Sequence, residues 1–189
     1  PSCAVTTLKN LSENAPLIII GKAINERVQT NNFFDRGTIF TYTTIADINV
    51  VKGSLSDTTL EAKQFGGCDS LTGYCVYTSV MSPFEVGKRY LLFLRPAPKY
   101  QPTPAEPPPS TFGEKNIAQP GEIEGGVYDG FSGCGGKYPL SETVSDAEIK
   151  EIISSGDEAR WQIFLGAAPH DEIKNGVSPQ PTASPGVEL

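Results

Sequence analysis

Histidine is nearly absent: the 189-residue chain holds a single one, His170, close to its end, together with one Trp and one Met. A Ser or Cys nucleophile paired with a His base, or a His-rich metal cluster, has almost no material to draw on. His170 sits in Pro169-His170-Asp171, where a solvated loop residue is expected. Positive charge is also short, with 15 Lys and Arg against 22 Asp and Glu, a net charge of −7. A protein that tracks nucleic-acid phosphates needs clustered cations to release counterions, so that class is disfavoured. Apolar runs such as Leu17-Ile18-Ile19-Ile20 are far too short to cross a bilayer. No C-x-x-C occurs, which removes zinc ribbons and thioredoxin-type redox pairs. Carboxylate pairs exist (Glu122 with Glu124, Asp157 with Glu158), but nothing marks a concave site for glycoside chemistry. Asp69, Asp129 and Asp146 do not form a calcium loop. The expectation is a non-enzyme with no cofactor and no bound metal.

What is present reads as secreted and mainly β. The four cysteines, Cys3, Cys68, Cys75 and Cys134, are even in number and widely spread, which suits two disulfides in an oxidising compartment. Cys68 and Cys75 flank a short Gly-containing turn, so they are expected to pair, leaving Cys3 with Cys134; Cys3–Cys68 with Cys75–Cys134 is the second choice. The chain starts at Pro1 with no charged or apolar leader, as a mature secreted protein would. Asn10-Leu11-Ser12 fits the N-glycosylation sequon, making Asn10 a candidate glycan site, and the Ser/Thr/Pro-rich stretches suit O-linked sugars.

Along the chain, Asn10 to Pro16 reads as a turn or short capped segment, and Leu17 to Ala23 as a buried strand. Thr38 to Val51 alternates: Phe40, Tyr42, Ala46, Ile48 and Val50 share one parity, Thr41, Thr43, Asp47 and Asn49 the other. That predicts a long half-buried strand, with the aromatics among Phe33, Phe34, Phe40 and Tyr42 packing in core and loops. Further strands are expected at Thr59 to Phe65, Tyr74 to Val80, Arg89 to Leu94 and, more weakly, Ile123 to Tyr128. Pro96 to Pro120 holds eight of the 16 prolines and is expected to leave the sheet as an exposed excursion. Ser145-Asp146-Ala147-Glu148 is a capping-box sequence opening a helix with Ile149, Ile152 and Ile153 on one face and Gly156 as its stop; Trp161, Phe164 and Leu165 mark a second. Residues 1–168 are thus expected to form one domain, a small β-barrel (closed or partly open) or sandwich with C-terminal helices, and 169–189 an extended Pro/Ser/Thr-rich tail.

Cys3, the strand Leu17 to Lys22, Val50-Val51-Lys52-Gly53, Gly66-Gly67 with its nearby cysteines, Gly87-Lys88-Arg89-Tyr90-Leu91-Leu92-Phe93-Leu94 and Cys134 together form a pattern. It resembles the N-terminal domain of tissue inhibitors of metalloproteinases and its bacterial relatives, over roughly Cys3 to Ser141. The resemblance implies a five-stranded OB-type barrel with flanking helices. In the family's inhibitors an N-terminal cysteine chelates the protease zinc through its free amino group and carbonyl. Here Pro1 and Ser2 precede Cys3, which has no free amino group, so the chelating wedge is not carried over.

The functional expectation is a structural protein of an extracellular fibre or surface layer, self-assembling through extended termini. Its arm would be the tail, with Pro179, Pro181 and Pro185 keeping it extended and Val187 and Leu189 filling pockets on another copy. A metalloprotease-inhibitor-like protein and a monomeric cell-surface binding module are the alternatives.

Overall fold

The computed structural model describes residues 7–31, 38–77, 82–98, 123–130 and 136–167. Two hydrophobic runs organise it. β1 (Leu17–Asn31) and β6 (Arg89–Pro98) pair antiparallel in six consecutive steps, from Leu17 opposite Leu94 to Lys22 opposite Arg89. Within them, Leu17 to Ile20 and Tyr90 to Leu94 are apolar at every position because both faces of these stretches are buried. Leu17, Ile19, Leu92 and Leu94 turn to one side, where they meet Ile45, Leu60 and Ala62. Ile18, Ile20, Leu91 and Phe93 turn to the other and pack under helices.

β2 (Thr38–Lys52) folds back on β1, β3 (Leu60–Phe65) adds to β2, and β7 (Ile123–Gly130) adds to β3. The β3–β7 contact is parallel, Glu61 beside Val127 and Ala62 beside Tyr128. β7 then pairs with the second half of β6, which returns to β1, and five strands close into a ring. β8 (Lys137–Leu140) lies along the first half of β6. A two-residue-by-two-residue hairpin, β4 (Gly67–Cys68) with β5 (Cys75–Val76), stands apart from the ring ladder.

Three helices cover the second face of β1 and β6. α1 (Leu8–Asn14) buries Leu8 and Leu11, and α2 (Asp146–Ser155) buries Ile149, Ile152 and Ile153. α3 (Glu158–Ala167) places Trp161 against Phe93, Tyr138 and Phe164, with ring centroids 5.1–6.0 Å apart. Their ends are satisfied locally. Thr7 accepts the Asn10 N–H and Ser145 the Glu148 N–H, both at 3.2 Å, and Gly156 stops α2 in the left-handed region at φ 64°. Lys52 Nζ donates to the Ser12 and Glu13 carbonyls at the end of α1, at 2.6 and 2.9 Å, where a cation also favours the helix dipole. Asp146, at the start of α2, accepts from Arg89 of β6 and from Asn49 of β2, tying the helix to the ring.

Several expectations need correction. Asn10 to Pro16 belongs mostly to a helix that begins at Leu8, two residues before the expected segment. β1 does not stop at Ala23 but runs on to Asn31, because β2 is long enough to pair with it throughout. The single parity expected over Thr38 to Val51 is broken. Phe40 and Tyr42 lie on the face opposite Ile45, and Ile45 rather than Ala46 enters the apolar cluster with Ile48 and Val50. The cause is local: the β1–β2 register shifts between Ile20 and Lys22 and again between Ala23 and Asn25, and Asp47 adopts φ 51°. The Pro-rich excursion begins later than Pro96. Pro96 pairs with Tyr128 and Pro98 with Ile123, across an irregular register in which a missing N–H is tolerated. Of Tyr74 to Val80, only Cys75–Val76 is strand among the described residues.

Candidate assembly surface

Among the described residues, the far half of β1 carries the longest exposed run of any strand. Its outer edge is engaged through Ala23, whose N–H donates to Lys88 O at 3.0 Å and whose carbonyl accepts from the Gly87 N–H at 2.7 Å. Beyond Ala23 the described residues place β2 on one edge of β1 and no strand on the other. Ile24 through Gln29 are all exposed, a run that breaks the usual in–out alternation of a half-buried strand. Ile24 and Val28 keep 46% and 42% of their surface in water.

The β4–β5 hairpin sits beside this half-strand. Gly66 N–H donates to Ile39 O at 2.8 Å and Thr41 Oγ1 donates to Gly66 O at 2.7 Å, anchoring the hairpin to β2. A Cβ on Gly67 would fall 2.4 Å from the Thr41 side-chain Oγ1, and its φ of 136° independently favours glycine. Cys68 and Cys75 are disulfide-bonded across the hairpin, with Cα atoms 4.1 Å apart. Within the enclosed loop Asp69 accepts the Leu71 N–H and the Thr72 hydroxyl, each at 2.9 Å. Those donors hold the Asp69 carboxyl below its usual range, the Leu71 N–H first. The result is a stiff tip that exposes Leu71 by 94%, while Tyr77, just past β5 at the base of the hairpin, is 77% exposed. Five of the seven large apolar side chains exposed among the described residues (Ile24, Val28, Leu71, Tyr74 and Tyr77) come from this half-strand and hairpin.

On the outer face of β1–β2–β3 a second group of residues is closed in on itself. Arg27 forks onto both Glu61 oxygens at 2.7 and 2.8 Å and lies 3.8 Å from the centre of the Tyr42 ring. The pairing raises the Arg27 pKa and lowers that of Glu61. Lys63, its side chain only 8% exposed, reaches Glu124 at 3.3 Å and stands over Phe40 at 4.6 Å. Burial, then the charge of Glu124, pushes the Tyr42 phenol up to about 12. The cations and rings here satisfy one another, so this face packs the strands instead of presenting stacking surfaces.

The expected site residues fall unevenly. Cys68 and Cys75 come together as a pair, whereas Cys3 and Cys134 lie outside the described residues. Asn10 is exposed on α1, its Oδ1 accepting from Asn14 Nδ2 at 2.8 Å. His170, Phe33, Phe34, Glu122 and the arm residues Pro179, Pro181, Pro185, Val187 and Leu189 lie outside the described residues. Asp157 and Glu158 accept backbone N–H groups of Arg160 and Leu8 respectively. Among the described residues no group of three His, Cys, Asp or Glu side chains is placed to hold a metal ion. No described helix is long and apolar enough to cross a membrane. The sequence reading missed the free half of β1 because Asn25, Glu26 and Arg27 interrupt its apolar pattern; the β-branched Val28 and Thr30 were the available signal. No protein-family model matches the chain, and no curated protein matches it.

Proposed function

We propose that the chain is a non-catalytic structural protein of an extracellular fibre or surface layer, built by strand addition between copies. The observation that supports this reading is the edge of β1 beyond Ala23, which no described strand pairs with and along which Ile24 to Gln29 are exposed, so that its ladder groups can serve another chain. A head-to-tail contact of this kind does not close on itself and propagates as a filament. The disulfide in the β4–β5 hairpin is in keeping with an oxidising, extracellular setting. The ring itself is read as an OB-type barrel of the kind implied by the resemblance to tissue inhibitors of metalloproteinases. Its five strands, the parallel β3–β7 contact and the helices stacked on one outer face support that reading. Electron micrographs and sedimentation of the purified full chain test the proposal. Filaments or sheets that grow with concentration are expected, and a strictly monomeric chain at high concentration removes it.

The rigid hairpin tip favours a second reading, a monomeric binding module or inhibitor-like protein that inserts Leu71 into a partner. A panel of metalloproteases assayed with the wild type and with Leu71→Asp separates it. Inhibition by the wild type alone would favour this second reading.

A further inference from the structure

The tail has a period that its composition hides. Taken as one extended strand, Ser178 to Leu189 puts Pro179, Pro181, Ala183, Pro185, Val187 and Leu189 on one face, and only Ser, Gln, Thr, Gly and Glu on the other. Side-chain face and backbone direction alternate together in a strand, so the same parity governs both. In such a strand all three prolines would direct their missing N–H toward one edge. The even-numbered residues keep every N–H for the opposite edge. A strand of this kind can join a sheet along one side without losing a ladder bond, while its prolines bar addition on the other.

We infer that Ser178–Leu189 of one copy adds as a one-sided edge strand to the free half of β1, Ile24 to Asn31, in a second copy. This rests on the self-assembly reading above and names its donor and its acceptor. Three observations converge on that pairing. The acceptor edge is engaged through Ala23 and open beyond it among the described residues. Ile24 and Val28 are exposed beside it, apolar ground for the apolar face of the arm. The described chain ends at Ala167, leaving 22 residues. Twelve of these form the arm, and the ten before them, at about 3.3 Å each, span roughly 30 Å between subunits. Because the far side of the docked arm carries no usable ladder, each acceptor takes one arm and growth stays linear.

The test uses the full chain and two proline variants of opposite parity. Thr182→Pro removes an N–H from the pairing edge and is expected to raise the critical concentration for assembly roughly tenfold, about 1.4 kcal/mol. Ala183→Pro adds a proline to the already blocked edge and is expected to leave it within about twofold. Equal effects of the two variants overturn the parity argument. Hydrogen exchange locates the acceptor: amides within 24–31 are expected to slow at least about tenfold on assembly, and unchanged exchange there overturns the assignment. Protection of those amides in a chain that stays monomeric means the arm docks on its own copy, which also overturns it. Deleting Ser178–Leu189 separates the two levels. If the truncated chain assembles as the full chain does, this inference falls while self-assembly stands.

Discussion

The carboxylate of Glu158, in the first turn of α3, accepts the backbone N–H of Leu8, the first residue of α1, at 3.0 Å. One acidic side chain thus serves two helix N-termini that lie 150 residues apart in sequence. It satisfies an otherwise orphaned donor on α1 and places negative charge at the positive end of α3. Glu158→Ala is expected to lower the unfolding free energy by about 1–2 kcal/mol, read from the urea midpoint. Glu158→Gln keeps an acceptor and is expected to lose clearly less.

Trp161 is fully buried between Phe93, Tyr138 and Phe164, and it is the chain's only tryptophan. Its fluorescence therefore reports on the seam between helices and ring. Blue-shifted emission is expected in the folded protein, moving red in one step on denaturation. Trp161→Ala is expected to cost about 3–5 kcal/mol. Trp161→Phe is milder, since it also removes an indole N–H that is buried with no hydrogen-bond partner among the described residues.

A methyl group on Gly21 would fall 2.4 Å from Ile45 Cγ2 and 3.3 Å from the Ala46 carbonyl. Gly21→Ala is expected to destabilise the ring by about 1–3 kcal/mol through overpacking. Ile45→Leu moves the branch away from this contact. In that background the same substitution is expected to cost less, a coupling that a double-mutant cycle measures.

Tyr42 and Tyr138 both have phenols raised from 10.0 to about 12, in each case by burial first. Below pH 10 both are neutral in the folded and unfolded chains, and their contribution is fully present. Above it the unfolded chain ionises first, so stability falls as pH rises toward 12. Phenolate absorbance and circular dichroism are expected to change together in that window. On the acid side, Glu61 is lowered by Arg27, so its pair stabilises above the unfolded value of 4.5 and fades below it. That loss is expected to be at most about 1 kcal/mol, because the pair is largely exposed.

Non-reducing peptide mapping is expected to return a Cys68–Cys75 link and, in native material, a Cys3–Cys134 link. Four free thiols would remove the extracellular argument.

The legible parts of the sequence were those where one physical effect dominates. Leu17 to Ile20 and Tyr90 to Leu94 are apolar without a break because two layers cover them, and they read as buried strands directly. Ser145 and Gly156 announced α2 through local capping chemistry. Phe40 and Tyr42 were harder. Their side of the sheet depends on register shifts opposite Gly21 and Ile24, which involve two strands at once and leave no trace in a single run of residues. Glu124 was equally opaque, since its partner Lys63 is 61 residues away. The exposed half of β1 escaped because what lies along a strand's edge is set by other segments of the chain, and composition along one strand cannot register it.

The seam between β1 and β6 also sets the order of events as the chain folds. Its six pairs join residues 67 to 77 positions apart, from Lys22 with Arg89 to Leu17 with Leu94. The β1–β2 and β2–β3 hairpins can zip early, since their partners are near in sequence. The seam must wait until much of the chain has been reeled in, and the entropy of that long closure falls before any contact repays it. Shortening either apolar run should therefore slow refolding more than it speeds unfolding, because the seam joins the two central buried strands that β7 then bridges into a ring.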